Sequence, residues 1–246
     1  MPKYISSSLI SLILMVWMNS SSAQPGNINE VMLCTLKPGF TVDEVITVGR
    51  AIPRSENGPN LVFYREPIVA NPSRAGSINV VRYWDSFEHM IRGLESQTPS
   101  GPSNHLFAMV DCGGTRQVGI NWSTATEPGQ VSAYEGGEVQ KSYVAIRQCR
   151  LKPGNNMEDV QQVLTEFDQQ NRAGNDKSAF GFLQILAGGQ DDVDMNTAFA
   201  IRVIGENSEG LARRLDAMSW NTPDPADPAT CGNLSLWRSH VIHWGT

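Results

Sequence analysis

Two arginines and a histidine are the residues of this sequence with the clearest capacity for chemistry. Arg82 stands in the segment INVVRYW and Arg202 in AFAIRVI, each among apolar residues. An arginine on an otherwise apolar strand face can bind an anionic or carbonyl oxygen. His243 could act as a general base or hydrogen-bond donor, because an imidazole titrates near neutral pH. A structural ion pair for the arginines and a structural role for the histidine are the competing interpretations.

Side-chain alternation predicts which face of a sheet each arginine occupies. Successive residues of a strand point to opposite faces. One face of each sheet must pack on its own helices, and the other then lines a cavity between two sheets. In the strand around Arg202, the apolar set that suits the helices is Phe199, Ile201 and Val203. In the strand around Arg82, Val81 and Tyr83 take the helix side, so both arginines are expected to point into the cavity.

The last strand of each predicted half holds two further candidates. Trp122 ends the segment QVGINW and Trp244 ends HVIHW, and a face that includes these tryptophans would pack on the helices. Asn121 and His243 then face the cavity, where His243 is the candidate catalytic residue. The full predicted ligand-binding set is Arg82, Asn121, Arg202 and His243.

The sequence offers no recognisable metal or cofactor motif. His240 and His243 are three positions apart, so on a strand they point to opposite faces and do not form a metal pair. Cysteine spacings of the C-x-x-C kind are absent, as are a Gly-rich phosphate loop, G-x-S-x-G and H-E-x-x-H. We therefore expect no metal and no cofactor.

The secondary-structure elements that must position these residues occur twice in the sequence. The phrase CTLKPG begins at Cys34, CRLKPG begins at Cys149, and the residues after each phrase align without a gap. Further matched pairs follow in one order: Arg82 with Arg202, Thr98 with Thr222, Cys112 with Cys231, and Trp122 with Trp244. Such an ordered series indicates an internal duplication.

Each half alternates strands and helices in the order β-α-β-β-α-β, which is that of a ferredoxin-like unit. The Lys-Pro-Gly after the first strand is typical of a turn, because proline fixes φ and glycine supplies positive φ. Thr41 and Glu44 predict a capping box at the start of the first helix. The predicted fold class is α+β, with two tandem βαββαβ units over residues 30–122 and 141–246 whose sheets face each other.

The four cysteines predict two disulfides. Of the three possible pairings, the duplication favours Cys34 with Cys112 and Cys149 with Cys231, because each half then carries the same bridge. The swapped pairing, Cys34 with Cys231 and Cys149 with Cys112, would instead lock the two halves together.

A strand ending in Leu-Lys-Pro-Gly, followed by a helix with an acidic first turn, resembles the dimeric α/β-barrel superfamily. Its members include the antibiotic-biosynthesis-type monooxygenases and the stress-responsive barrel domains, which usually pair two such units face to face. The resemblance covers residues 30–246. It implies that the two units form an intrachain pseudo-dimeric α/β barrel, and it is compatible with the absence of a cofactor.

The first 23 residues have the layout of a secretory signal peptide, with one lysine, an apolar run and small residues up to Ala23. An uncleaved membrane anchor is the alternative. Cleavage would leave a first unit at residues 24–122, a linker at 123–140 and a second unit at 141–246. We then expect an exported protein, periplasmic or secreted, with no membrane attachment, and a monomer with an internal pseudo-dimer.

Charge and cavity chemistry narrow the classes of function. A net charge of −6 argues against a nucleic-acid partner, which needs clustered Lys and Arg. The first hypothesis is a protein that binds a small, partly apolar organic molecule between the sheets. The second is a cofactor-independent monooxygenase or isomerase that uses the same cavity, with His243 as its base. A structural or interaction protein whose cavity is filled by side chains is a third hypothesis.

Overall fold

A computed structural model describes residues 28–97, 103–113, 116–124, 141–171, 178–188, 197–205, 207–218 and 227–243. The predicted signal segment, residues 1–23, lies outside the described residues. So do Trp244 and nearly all of the predicted linker at residues 123–140. Among the helices of the described residues, none is both long and apolar enough to cross a membrane.

The elements follow the predicted order in both halves, with short additions. The strands are β1 (Ile28–Leu36), β2 (Leu61–Val69), β3 (Ser77–Trp84), β4 (Val110–Asp111), β5 (Arg116–Ser123), β6 (Lys141–Leu151), β7 (Ala179–Ala187), β8 (Ala198–Gly205), β9 (Ala229–Cys231) and β10 (Ser235–His243). The α-helices are α1 (Val42–Ala51), α2 (Phe87–Glu95), α3 (Ser103–Met109), α4 (Met157–Asn171) and α5 (Ser208–Ala217). Helix α3 and strands β4 and β9 were not predicted, because their segments were interpreted as loops.

Local sequence explains where the first strands end and the helices begin. Gly39 and Gly154 adopt φ of 90° and 86°, the left-handed backbone that the Lys-Pro-Gly turns require of glycine. At α1 the predicted capping box is present. The backbone N–H of Glu44 donates to Thr41 Oγ1 at 3.3 Å, and the backbone N–H of Thr41 donates to Glu44 Oε2 at 2.8 Å.

Eight strands close into one antiparallel barrel. Their order around the wall is β10-β2-β3-β1-β5-β7-β8-β6, and β6 pairs with β10 to complete the ring. The four strands of each half are adjacent, so two junctions join the halves: β10 with β2, and β5 with β7. The predicted sheets that face each other are therefore edge-paired parts of a single wall.

Core side chains pack on both sides of this wall. The barrel interior holds residues from both halves, including Val31, Phe63, Val81, Leu183 and Ala200. Outside the wall, a second layer lies between the strands and the helices. In the first half that layer includes Val45, Val80 and Leu106, and in the second half Val160, Phe199 and Leu211.

The strand register corrects the predicted match between the two arginines. Ile78 and Phe199 stand opposite the matched cysteines of β1 and β6. Four residues further along stand Arg82 and Val203, so these two occupy corresponding positions. Arg202 comes one residue too early to correspond to Arg82. The predicted pairing was wrong, and a shift of one residue moves a side chain to the opposite face of a sheet.

The side-chain directions predicted for β3 were also wrong. Val81 and Tyr83 pack in the barrel interior, whereas Val80 and Trp84 pack towards the helices. Arg82 shares the helix-facing side with the second pair. Both faces of β3 are apolar because both are buried, so alternation could not distinguish them.

The disulfides join Cys34 to Cys112 and Cys149 to Cys231, the pairing that the duplication favours. Each bridge ties the end of the first strand of its half to a short strand, β4 or β9, that pairs with it. No cysteine of the chain is left free.

Candidate ligand-binding site

A pocket of about 200 Å³ lies outside the barrel wall of the first half, between the strands and their helices. Its floor is formed by β2, β3 and β10, and its sides by α1, α2, α3 and the loop after α1. Apolar wall residues include Val62, Val80, Leu106 and Ile242. The polar side chains that meet there include Arg54, Tyr64, Arg82 and His243.

Arg82 brings a buried positive charge to the floor of the pocket. Arg82 is 7% exposed, and within the described part of the chain its Nη1 atom has no hydrogen-bond partner. The nearest carboxylate oxygen, Oε2 of Glu30, lies 3.6 Å from Nη1. Burial lowers the pKa of Arg82, and the charge of Glu30 opposes that shift. Arg82 is thus a buried cation at the floor of the pocket, with Glu30 as its counter-ion.

Glu30 is fully buried and contacts more than one polar side chain. Its Oε1 forms an ion pair with Nε of Arg116 at 3.0 Å, and its Oε2 accepts a hydrogen bond from the indole N–H of Trp84 at 3.1 Å. These two contacts are shorter than the contact with Arg82. The carboxylate of Glu30 is therefore shared between the buried Arg82 and the partly exposed Arg116.

His243 reaches the same pocket because of a β-bulge in β10. Val241 pairs with Phe63 and His243 pairs with Val62, so one extra residue of β10, Ile242, is accommodated between adjacent residues of β2. Val241 faces the barrel interior, while Ile242 and His243 both face the pocket. The prediction that His243 faces a cavity between the sheets was therefore wrong.

The imidazole of His243 is held in its neutral form. Partial burial and the nearby charge of Arg54 lower its pKa, and a hydrogen bond with the backbone of Ile52 partly opposes them. A neutral imidazole that donates to a carbonyl through one nitrogen keeps a lone pair on the other. His243 can therefore accept a proton or a hydrogen bond in the pocket.

Tyr64 supplies a neutral hydroxyl group to the pocket. Burial raises the pKa of Tyr64 to about 12, although the charge of Arg82 opposes this. The ring can lie against α1 because residue 49 is glycine, where a Cβ would come within 2.5 Å of Tyr64 Cε2. Tyr64 was not among the predicted ligand-binding residues, because no face had been assigned to the residues of β2.

The predicted ligand-binding residues divide between two places. Arg82 and His243 both line the pocket outside the wall. Arg202 contacts Tyr83 in the barrel interior, and Asn121 pairs with the interior residue Leu183. The structure therefore brings together two members of the set and separates them from the other two by the barrel wall.

The barrel interior contains a polar group around Arg202, whose other members, Tyr83, Arg65 and Ser239, were not among the predicted site residues. Nη1 of Arg202 donates to the hydroxyl oxygen of Tyr83 at 3.2 Å, and Arg65 also hydrogen-bonds this hydroxyl. Nε of Arg65 donates to Ser239 Oγ at 3.0 Å. Burial would raise the pKa of Tyr83, but the charges and hydrogen bonds of the two arginines outweigh burial and lower it.

The helix-facing side of the second half is more aromatic than that of the first. By strand register, Phe182 takes the position of Tyr64 and Val203 the position of Arg82. Trp122 stacks on Phe182 with ring centroids 5.1 Å apart. At these positions a phenylalanine and a valine therefore replace two of the polar residues of the first-half pocket. Among the described residues, no group of three or more His, Cys, Asp or Glu could hold a metal ion.

No protein-family model matches this sequence, and no curated protein matches it significantly. Solved structures with a similar fold do exist. An anthrone oxidase-like protein aligns with a TM-score of 0.50 at 13% identity, over 90% of this chain and 93% of that chain. A candidate monooxygenase from Lactobacillus acidophilus aligns with a TM-score of 0.52 at 8% identity, over 90% and 96% of the two chains.

A candidate chlorite dismutase aligns with a TM-score of 0.51 at 10% identity, over 88% of this chain and 96% of that chain. At such low identities the likeness shows the fold alone. The chain has an α+β fold with a closed eight-stranded antiparallel barrel, as the dimeric α+β-barrel proteins do.

Proposed function

We propose that the protein binds a small, partly apolar organic molecule in the pocket outside the barrel wall. The observation that carries this proposal is the convergence of four polar side chains on an apolar cavity: Arg54, Tyr64, Arg82 and His243. Ligand sites are concave, mostly apolar and equipped with a few well-placed polar groups. A volume of about 200 Å³ suits a molecule of two or three fused rings.

The barrel interior is the weaker candidate for this role. Side chains from both halves pack there, among them Phe63, Val81 and Leu183. Some of its polar atoms bond one another, as Nη1 of Arg202 does with Tyr83, whereas Nε of Arg202 has no hydrogen-bond partner among the described residues. The pocket between strands and helices therefore replaces the interior cavity that strand alternation predicted.

A cofactor-independent oxygenase or isomerase is the alternative function. His243 favours it, because a neutral imidazole with a free lone pair can remove a proton from a bound substrate. Arg82 could stabilise the oxygen on which negative charge then develops. The anthrone oxidase-like neighbour makes anthrone a suitable first substrate to assay.

The test of binding uses 1-naphthoate and isothermal titration calorimetry. We expect one site per wild-type chain. Ile52→Trp should abolish binding, because an indole ring in place of the smaller isoleucine side chain would fill part of the pocket. Ile91→Trp is the matched control, since Ile91 is 51% exposed on α2 and does not line the pocket. Equal binding by the wild type and Ile52→Trp would contradict the proposed site.

Oxygen uptake separates the alternative from simple binding. If the protein is an oxygenase, anthrone and O₂ should yield anthraquinone and water faster with protein than without it. His243→Ala should then abolish the acceleration. Under the binding hypothesis, the same variant should only weaken the affinity for 1-naphthoate. Uptake equal to the protein-free background would contradict oxidation of this substrate.

The origin and location of the protein are parts of the same proposal. We propose that residues 24–122 and 141–246 derive from a duplicated ferredoxin-like unit, joined by a linker at residues 123–140. Each half orders its strands as fourth, first, third and second, which supports this origin. Two disulfides support export after removal of residues 1–23, because they persist in oxidising compartments. Two junctions that close the barrel within one chain support a monomer.

A further inference from the structure

We propose that the ligand is an organic anion with one negatively charged oxygen group, which binds the guanidinium of Arg82. This inference rests on the proposed function and adds the charge of the ligand to it. It follows from the balance of charges around the pocket, from the burial of Arg82 and from the neutral hydroxyl group of Tyr64.

The charges around Glu30 do not cancel; of its two arginine partners Arg82 is buried, and Arg116 has a side chain that is 40% exposed. Glu30 is shared by Arg82 and Arg116, and its shorter contact is with Arg116, at 3.0 Å against 3.6 Å. One carboxylate facing two guanidinium groups leaves one positive charge in excess. Among the described residues Nη1 of Arg82 has no hydrogen-bond partner, and Arg82 is the member of this group that lines the pocket.

The lining of the pocket adds positive charge and no negative charge. Of the described residues that line it, Arg54 and Arg82 are charged, and none is Asp or Glu. This contrasts with the whole chain, which carries 25 acidic and 19 basic residues. A positive pocket in a negative protein selects anions from solution, since buried charges are screened less than exposed ones.

The hydroxyl group of Tyr64 and the charge of Arg54 suit an anionic oxygen rather than a cation. Tyr64 keeps its proton over the neutral range, so its hydroxyl can donate a hydrogen bond. A cation in this pocket would face two arginines with no carboxylate. A neutral ligand would leave the charge of Arg82 uncompensated, whereas a carboxylate or similar group would neutralise it through charge-assisted hydrogen bonds.

The experiment compares two ligands of the same shape that differ in charge. Dissociation constants of 1-naphthoate and 1-naphthamide are measured by calorimetry on the full chain at pH 7. We expect wild-type protein to bind the anion about tenfold to a hundredfold more tightly than the amide. In Arg82→Met this preference should fall towards equal affinity, while Arg82→Lys should retain part of it.

Arg82→Met should fold, because Glu30 keeps Arg116 and Trp84 as partners. If it does not fold, Arg54→Gln serves instead: Arg54 is an exposed loop residue, and its loss should reduce the preference severalfold. Arg92→Met is the matched control, since it removes one positive charge from the exposed face of α2 and should leave the preference unchanged.

The outcomes separate this inference from the proposed function. Equal binding of both ligands by the wild type, blocked by Ile52→Trp, would overturn the anion preference and leave the pocket as a binding site. Binding of neither ligand would overturn both. A preference for the anion that persists in Arg82→Met, or that falls equally in Arg92→Met, would also overturn the role of Arg82.

Discussion

At the scale of single residues, Tyr83 has an unusual environment, because its hydroxyl group lies beside two arginines. Its hydroxyl oxygen receives hydrogen bonds from Arg65 and Arg202, and the described residues supply no carboxylate to either arginine. Two donors that converge on one phenol oxygen favour the ionised phenol over the neutral one. The interaction also links the halves of the chain, because Tyr83 belongs to β3 and Arg202 to β8.

We expect Tyr83→Phe to destabilise the protein by about 1–3 kcal/mol, since two buried guanidinium groups lose their acceptor. The effect should depend on pH. The folded-state pKa of Tyr83 lies below the unfolded value of 10.0, so its stabilisation grows as pH rises through the folded pKa and is complete above 10. Urea unfolding of both proteins between pH 7 and 10.5 tests this. A difference that shrinks as pH rises would contradict it.

At the scale of the elements, strand ends and short strands determine the geometry of the site. The bulge at Ile242 turns His243 towards the pocket, and β4 and β9 hold the cysteine-bearing loops on β1 and β6. Each disulfide lies where a two- or three-residue strand alone would hold a loop weakly. The bridges therefore fix the ends of the first strands of both halves.

Replacing Cys34 and Cys112 together by serine should lower the free energy of unfolding by about 4 kcal/mol on the chain-entropy model. The matched pair, Cys149 and Cys231, should give a similar loss, because the bridged residues are separated by 78 and 82 positions. Unfolding in guanidinium chloride measures both variants against the wild type. A loss confined to one pair would show that the two bridges are not equivalent.

At the scale of the whole molecule, the two halves share one hydrogen-bonded wall and one interior core. The junctions β10–β2 and β5–β7 leave no open edge in the ring of eight strands. Phe63 and Val81 of the first half pack with Leu183 and Ala200 of the second. Separating the halves would expose two strand edges and an apolar face on each.

A protease site inserted between residues 125 and 140 tests this arrangement. After cleavage we expect both fragments to elute together at the size of the intact chain, because the junctions and the interior core remain. Size-exclusion chromatography with light scattering measures the mass. Each half expressed alone should aggregate or pair with a second copy. Cleaved fragments that separate as stable monomers would contradict a shared core.

The sequence by itself determined the main elements of each half, their turns and the pairing of the cysteines, but not α3, β4 and β9. Gly39, Gly154 and the Thr41–Glu44 capping box act through local backbone geometry, so their consequences can be predicted from neighbouring residues. The disulfides were predicted from the order of matched landmarks in the two halves. None of these predictions depends on which face a strand presents.

The tertiary structure alone decided where the candidate site lies. Arg82 and Arg202 stand in similar apolar segments, but strand pairing places them on opposite sides of the wall. His243 reaches the pocket only through a bulge that depends on pairing with β2. A single residue of register or bulge reverses the direction of a side chain, and both faces of a barrel strand can be apolar. The hydrophobic pattern of such strands therefore carries no information about which side faces the ligand.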